Sequence, residues 1–125
     1  MNQSKICPVP SRVLFEQLLS DPNRARANDA SWRPFRAGIE IMDIHDNGAE
    51  ASSSALLRYQ AGATVPRHRH AGYEHILVLS GSQSDENGVY RAGDMIVSPP
   101  GSSHSIRSDE GCVVLAIWER GVVFD

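Results

Sequence analysis

The stretch GATVPRHRHAGYEHILVLSG, residues 62–81, decides how this chain is read. Residues two apart on an extended strand share a face, so His68 and His70 point the same way, about 7 Å apart along the chain, while Arg67 and Arg69 face the other way. After the bend at Ala71-Gly72-Tyr73, Glu74 opens a second extended run in which Ile76 and Val78 share its face. A carboxylate then sits at the rim of an apolar interior beside two imidazoles. Burying an ionised carboxylate is costly unless it is paired, and a divalent cation is the partner that suits neutral imidazoles and a carboxylate together. A lone histidine on a strand is better read as satisfied by a backbone carbonyl. The joint spacing is what points to a metal.

Further on, the segment GDMIVSPPGSSHS, residues 93–105, carries His104 just past a Pro-Pro-Gly corner that turns the chain back alongside the first run. The expected ligand set is His68, His70, Glu74 and His104 around one divalent ion. Three imidazoles and one carboxylate leave coordination positions for water, and suit Zn, Fe(II), Mn, Ni or Co.

Around these segments the chain reads as short β-type runs separated by turn residues, the habit of sandwiches and barrels. The runs are IEIMDI, SSALLRYQ, YEHILVLS, GVYRAG, DMIVSP, SHSIRS and CVVLAIWER. Asn87-Gly88 is a strong hairpin signal, because both residues tolerate positive φ. Before Ile39 the pattern differs. Leu14, Phe15, Leu18 and Leu19 fall at helical spacing behind a candidate N-cap at Ser11, which predicts a short helix over residues 11–20. The expected organisation is an N-terminal arm over residues 1–36 and an all-β domain over 37–125.

The spacing of the two histidine segments resembles the cupin superfamily, of the RmlC-like kind. Its first motif, G-x5-H-x-H-x3,4-E-x6-G, is met at Gly62, His68, His70, Glu74 and Gly81. Its second, G-x5-P-x-G-x2-H-x3-N, is met at Gly93, Pro99, Gly101 and His104, with Ser108 in place of the final Asn. The resemblance implies a double-stranded β-helix, or jelly roll, with the metal near one open end of the barrel. Within the superfamily, the run from Leu77 to Leu115 is most similar to the cupin-like metal-binding domain of ChrR-type anti-sigma factors, at Asp85, Gly88, Tyr90, Pro100, Ser103, Gly111 and Cys112. That likeness implies zinc. Those factors carry a helical zinc-binding domain with a C-x-x-C pair ahead of the cupin. Residues 1–50 hold neither the length nor those ligands, so a stand-alone relative is expected.

Composition narrows the partners. With 12 basic and 15 acidic residues the formal charge is −3, and no basic cluster is present, which argues against nucleic acid. No apolar run reaches the roughly 20 residues needed to cross a bilayer, and the first residues lack a secretion signal, so no membrane partner and a cytoplasmic location are expected. Cys7 and Cys112 form no C-x-x-C pair and read as idle thiols. His45 and His75 read as surface or packing residues. Tyr73, Tyr90, Met95 and Trp118 read as core ahead of pocket lining, and Arg58 and Arg67 as solvated strand residues.

Two functions remain open. The first, slightly favoured by sequence alone, is a non-haem metal-dependent dioxygenase acting on a small diketone or hydroxy-ketone, with Glu74 as ligand or general base. The second is a non-catalytic zinc-holding sensor or regulatory module. In either case a small-molecule substrate or ligand is the expected partner. The apolar run around Ile39 to Ile44 reads as a sheet edge that a second copy covers, which implies a homodimer.

Overall fold

The computed structural model describes residues 10, 11, 13–20 and 32–124. Ten strands account for most of the body: β1 (Arg33–Arg36), β2 (Ile39–Asp46), β3 (Ser53–Tyr59), β4 (Thr64–His70), β5 (Glu74–Asp85), β6 (Gly88–Arg91), β7 (Met95–Ser98), β8 (Ser103–Arg107), β9 (Cys112–Trp118) and β10 (Val122–Phe124). All pairings are antiparallel. One layer runs β1, β2, β3, β9, the first half of β5, and β7. The other runs β10, β4, β8, the second half of β5, and β6. The long strand β5 therefore belongs to both layers, and the sheet curls on itself as a jelly roll, the expected all-β double-stranded β-helix.

Alternation along the strands explains why the layers close. Ile39 and Ile41 of β2, Ala55, Leu57 and Tyr59 of β3, Ile76 and Val78 of β5, and Val114 and Ala116 of β9 meet inside the barrel. Val65 of β4 and Ile106 of β8 close the core from the opposite layer. On the outer face of the first layer a second cluster forms from Met42, Leu56, Leu79 and Val113 under Trp32, with Phe15 and Leu18 packed against it. Strand β3 thus buries both of its faces, which is why its run SSALLRY shows little polar alternation.

Two expectations are corrected. The described residues of the helix predicted over 11–20 are not helical. The described residues there form bends and a turn, closed by Ser20 N–H donating to the Gln17 carbonyl, with Gln17 at φ +59°. A helix of this length depends on packing for its stability. Here Leu14 and Leu19 stay exposed, and only Phe15 and Leu18 reach the sheet. Nor is β2 a free edge. Its outer side pairs with β1, a short polar strand that the RPFR sequence does not announce. The rest of the arm expected over residues 1–36 lies largely outside the described residues.

Candidate metal centre

Strand pairing assembles the site. β4 carries His68 and His70, and β8 brings His104 directly opposite His68. Glu74 begins β5, beyond the bend that follows β4. The three imidazoles pack edge to face, with ring centroids 5.1 Å apart for His68 and His70 and 4.7 Å for each of them with His104. One ring nitrogen from each lies within 4.8 Å of the others, and all three residues are buried.

Hydrogen bonds fix which nitrogen faces inward. His68 Nδ1–H donates to the Pro66 carbonyl at 3.0 Å, and His70 Nδ1–H to the Ser102 carbonyl at 3.0 Å. A carbonyl only accepts, so each Nδ1 carries the proton and each Nε2 is left to face the cluster. The Ser102 hydroxyl is 2.9 Å from His70 Nδ1 and spends its own proton on the Pro99 carbonyl, so it too accepts from the ring. His104 Nδ1 donates to Asp85 Oδ2 at 3.0 Å, and His104 Nε2 is buried with no hydrogen-bond partner. A buried nitrogen lone pair without a donor, in the middle of two more imidazoles, has the chemistry of a metal ligand. These three residues could hold a metal ion.

Glu74 stands beside this cluster. Its Oε1 is 3.2 Å from His70 Nε2, and its Oε2 accepts the Trp118 indole N–H at 2.7 Å. Burial alone would raise the Glu74 carboxyl, but the bond and charge of His70, then the Trp118 donor, hold it below the usual carboxylate range. Burial likewise pulls on His70 from below, and the Glu74 bond and charge with the Ser102 carbonyl reverse the sign and raise it. His68 is pushed down by burial, which outweighs its bond to Pro66 and favours the neutral ring. An ionised carboxylate therefore faces the inward edge of His70, and a cation bound there would take the place of the proton between them.

Asp85 is the member of the site that carried no assigned role in the sequence. Its Oδ2 holds His104, while its Oδ1 accepts the Tyr90 hydroxyl and the Asn87 backbone N–H, each at 2.8 Å. Tyr90 is pushed up to about 12 by burial and by donating to Asp85. A carboxylate behind a ligating imidazole sets its tautomer and strengthens its lone pair. Asp85→Asn is expected to weaken metal binding by roughly 10- to 100-fold without loss of fold, as measured by competition against a chromogenic chelator. An unchanged affinity would remove Asp85 from the site.

The remaining candidates divide. Trp118, read as core, orients Glu74 and lines the chamber beside it, whereas Tyr73 and Met95 are exposed and line nothing there. His45 lies at the surface and bonds Ser54, and His75 lies on the outer face. Arg58 bonds Glu40 and stacks over Trp32, away from the histidines. Cys112 is buried, with its thiol pushed up to about 11 mainly by burial, as an idle thiol should be.

The chamber next to the ligand atoms is small, about 50 Å³, and mainly apolar. Strand β10 borders it, since Phe124 pairs opposite His68 and sets its ring 5.6 Å from that imidazole, under the Arg36 guanidinium at 4.0 Å. This three-residue strand was not visible as a hydrophobic run.

Comparison with known proteins agrees with this architecture. The family model of the ChrR cupin-like domain matches residues 21–119. Anti-sigma-E factor ChrR of Cereibacter sphaeroides is 32% identical over 109 residues, covering 86% of this chain and 50% of that protein. The chain thus spans half the length of that relative. Among solved structures, an acetylacetone dioxygenase from Acinetobacter johnsonii superposes with a TM-score of 0.75 over 96% of this chain and 80% of its own, at 17% identity. Rhodobacter sphaeroides SigE in complex with the anti-sigma ChrR gives 0.68 over 93% of this chain and 71% of that one, at 24% identity. The structural likenesses speak for the fold. By the family match over most of its length and by its kinship with ChrR, this chain belongs to the ChrR cupin-like domain family.

Proposed function

We propose that this chain holds one divalent transition metal through Nε2 of His68, His70 and His104, with Glu74 as the fourth ligand, and serves as a zinc-holding sensing or regulatory module. The observation that carries this reading is the pairing of three inward imidazole nitrogens with a narrow, half-open chamber of only about 50 Å³. Pockets that take drug-sized organic ligands run from roughly 300 Å³ upward. A chamber this small suits an oxidant or another molecule of a few atoms, which reverses the slight preference for an enzyme drawn from sequence. The ion, when bound, supplies a Lewis acid for a lone pair on that molecule. The chain's own residues do the rest: Asp85, Ser102 and Pro66 orient the rings, Trp118 fixes Glu74, and Phe124 and Val122 keep bulk water out.

The relative at 32% identity is an anti-sigma factor, so a protein partner of the sigma class belongs to this proposal. Cytoplasmic location belongs to it as well. Among the described residues no helix is long and apolar enough to cross a membrane. A homodimer would bury the exposed Met95, Val97 and Ile117, which adjoin on the outer face of β7, β5 and β9. Sedimentation velocity at twice the chain mass supports the dimer, and a single-chain mass removes it.

A second reading, dioxygenase action on a small diketone or hydroxy-ketone, is favoured by the apolar chamber wall and by Glu74 as a base at its edge. It requires β10 to move aside. Elemental analysis of protein purified without added metal, together with oxygen uptake after Fe(II) loading, separates the two. Zinc at about one per chain with no uptake across a diketone panel is the expected result. Iron with substrate-dependent uptake would establish the enzyme instead.

A further inference from the structure

Strand β5 meets β8 at Ser84, opposite Arg107, then ends at Asp85 and turns into β6, with Gly88 opposite Asp85. Just past the end of β5 the Glu86 side chain reaches back to β8. Its carboxylate accepts the Ser105 hydroxyl, and the Ser105 backbone N–H at 2.7 Å. Those two donors hold the exposed Glu86 carboxyl down to about 2, so it stays ionised at neutral pH. Asp85, one residue earlier, accepts from His104, one residue before Ser105. Two adjacent carboxylates therefore grip two adjacent residues of β8, and one of those is a histidine of the metal cluster. A single surface hydrogen bond adds little net stability, so what this one governs is where the turn sits.

We propose that Glu86 is a positioning residue of the metal centre: by fastening the turn after β5 to Ser105, it keeps Asp85 against His104 and so aims His104 Nε2 at the ion. This rests on the metal-holding reading above. The direction of the His104 lone pair follows from the bond at its other ring nitrogen, and that bond comes from a residue at the very end of a strand. Tyr90 and the Asn87 N–H fix the Asp85 carboxylate from within the hairpin, but both move with it. Glu86 ties the hairpin to the strand that carries the ligand. Glu86 therefore acts on the metal through Asp85, and only while Asp85 is there to hold the ring.

The test is a double-mutant cycle on zinc affinity, read by chelator competition in the natural chain, Glu86→Ala, Asp85→Asn and the double variant. Glu86→Ala is expected to weaken zinc by about three- to tenfold in the natural chain, and by less than about twofold once Asp85 is Asn. A role confined to folding would instead give the same factor in both backgrounds, and that result overturns the inference, as does an unchanged affinity in Glu86→Ala. Glu86→Gln keeps an acceptor for Ser105 without the charge, and is expected to restore most of the lost affinity. If Glu86→Gln binds as weakly as Glu86→Ala, the charge and not the fastening is what the metal feels, and the inference fails. A natural chain that takes up no zinc fails at the earlier step, which refutes the metal reading and the inference with it.

Discussion

His104→Ala is expected to abolish metal binding while leaving the barrel folded. Its Nε2 is the nitrogen that the structure leaves buried and unpaired, so the substitution removes a ligand and relieves an unsatisfied group at once. Loss of an outer partner of a ligand costs about 10- to 100-fold in affinity, and loss of the ligand itself should exceed that range. The same change has a thermodynamic signature. A metal present at 100 times its dissociation constant stabilises the native chain by about 2.7 kcal/mol. That increment should appear on adding zinc to the natural chain and vanish in His104→Ala, as read by thermal or urea unfolding with and without metal. A zinc-dependent stabilisation that survives the substitution would place the ion elsewhere.

The second large effect is expected at Gly81, where β5 passes from one layer of the barrel to the other. Gly81 has φ +71°, and a Cβ there would strike the Gly111 carbonyl oxygen and come within 2.9 Å of Cys112 Cα. The left-handed conformation alone costs a non-glycine residue about 1–2 kcal/mol. The clash is with backbone of the neighbouring strand, which cannot yield without breaking the β5–β9 ladder. Gly81→Ala should therefore destabilise by about 3 kcal/mol or more, the sum of strain and the displacement of a packed strand. Gly93 is the control. It has φ +94° but nothing within 4 Å of a built Cβ, so Gly93→Ala should cost only the strain, about 1–2 kcal/mol. Equal losses in urea unfolding would mean that the close approach at Gly81 contributes nothing.

The contrast between these glycines shows what sequence could and could not carry. Positive φ at Gly62, Gly81, Gly93 and Gly101 was foreseeable from turn chemistry, but the contact that singles out Gly81 depends on Gly111, thirty positions away and fixed by strand pairing. The site divides along the same line. His68 and His70 were legible because strand geometry has a period of two, and Glu74 and His104 because their spacing matches a known pattern. Asp85 and Gln83 were given no role and Trp118 was read as core, because their contacts with His104, the chamber and Glu74 cross between strands and leave no local period. Strands β1 and β10 escaped for a different reason. Four polar-flanked residues and three apolar ones are too short to show alternation, and they become strands only because β2 and β4 offer them an unpaired edge. The helix over residues 11–20 erred in the opposite direction. Its apolar spacing is real, but the outer sheet face accepts Phe15 and Leu18 and leaves Leu14 and Leu19 outside.

Crystals of the natural chain soaked in zinc and measured at the zinc absorption edge test the central claim most directly. A single anomalous peak bonded to Nε2 of His68, His70 and His104, about 2.0–2.1 Å from each, is the result the geometry requires. A peak at any other residues, or none at this cluster in fully loaded crystals, would contradict it.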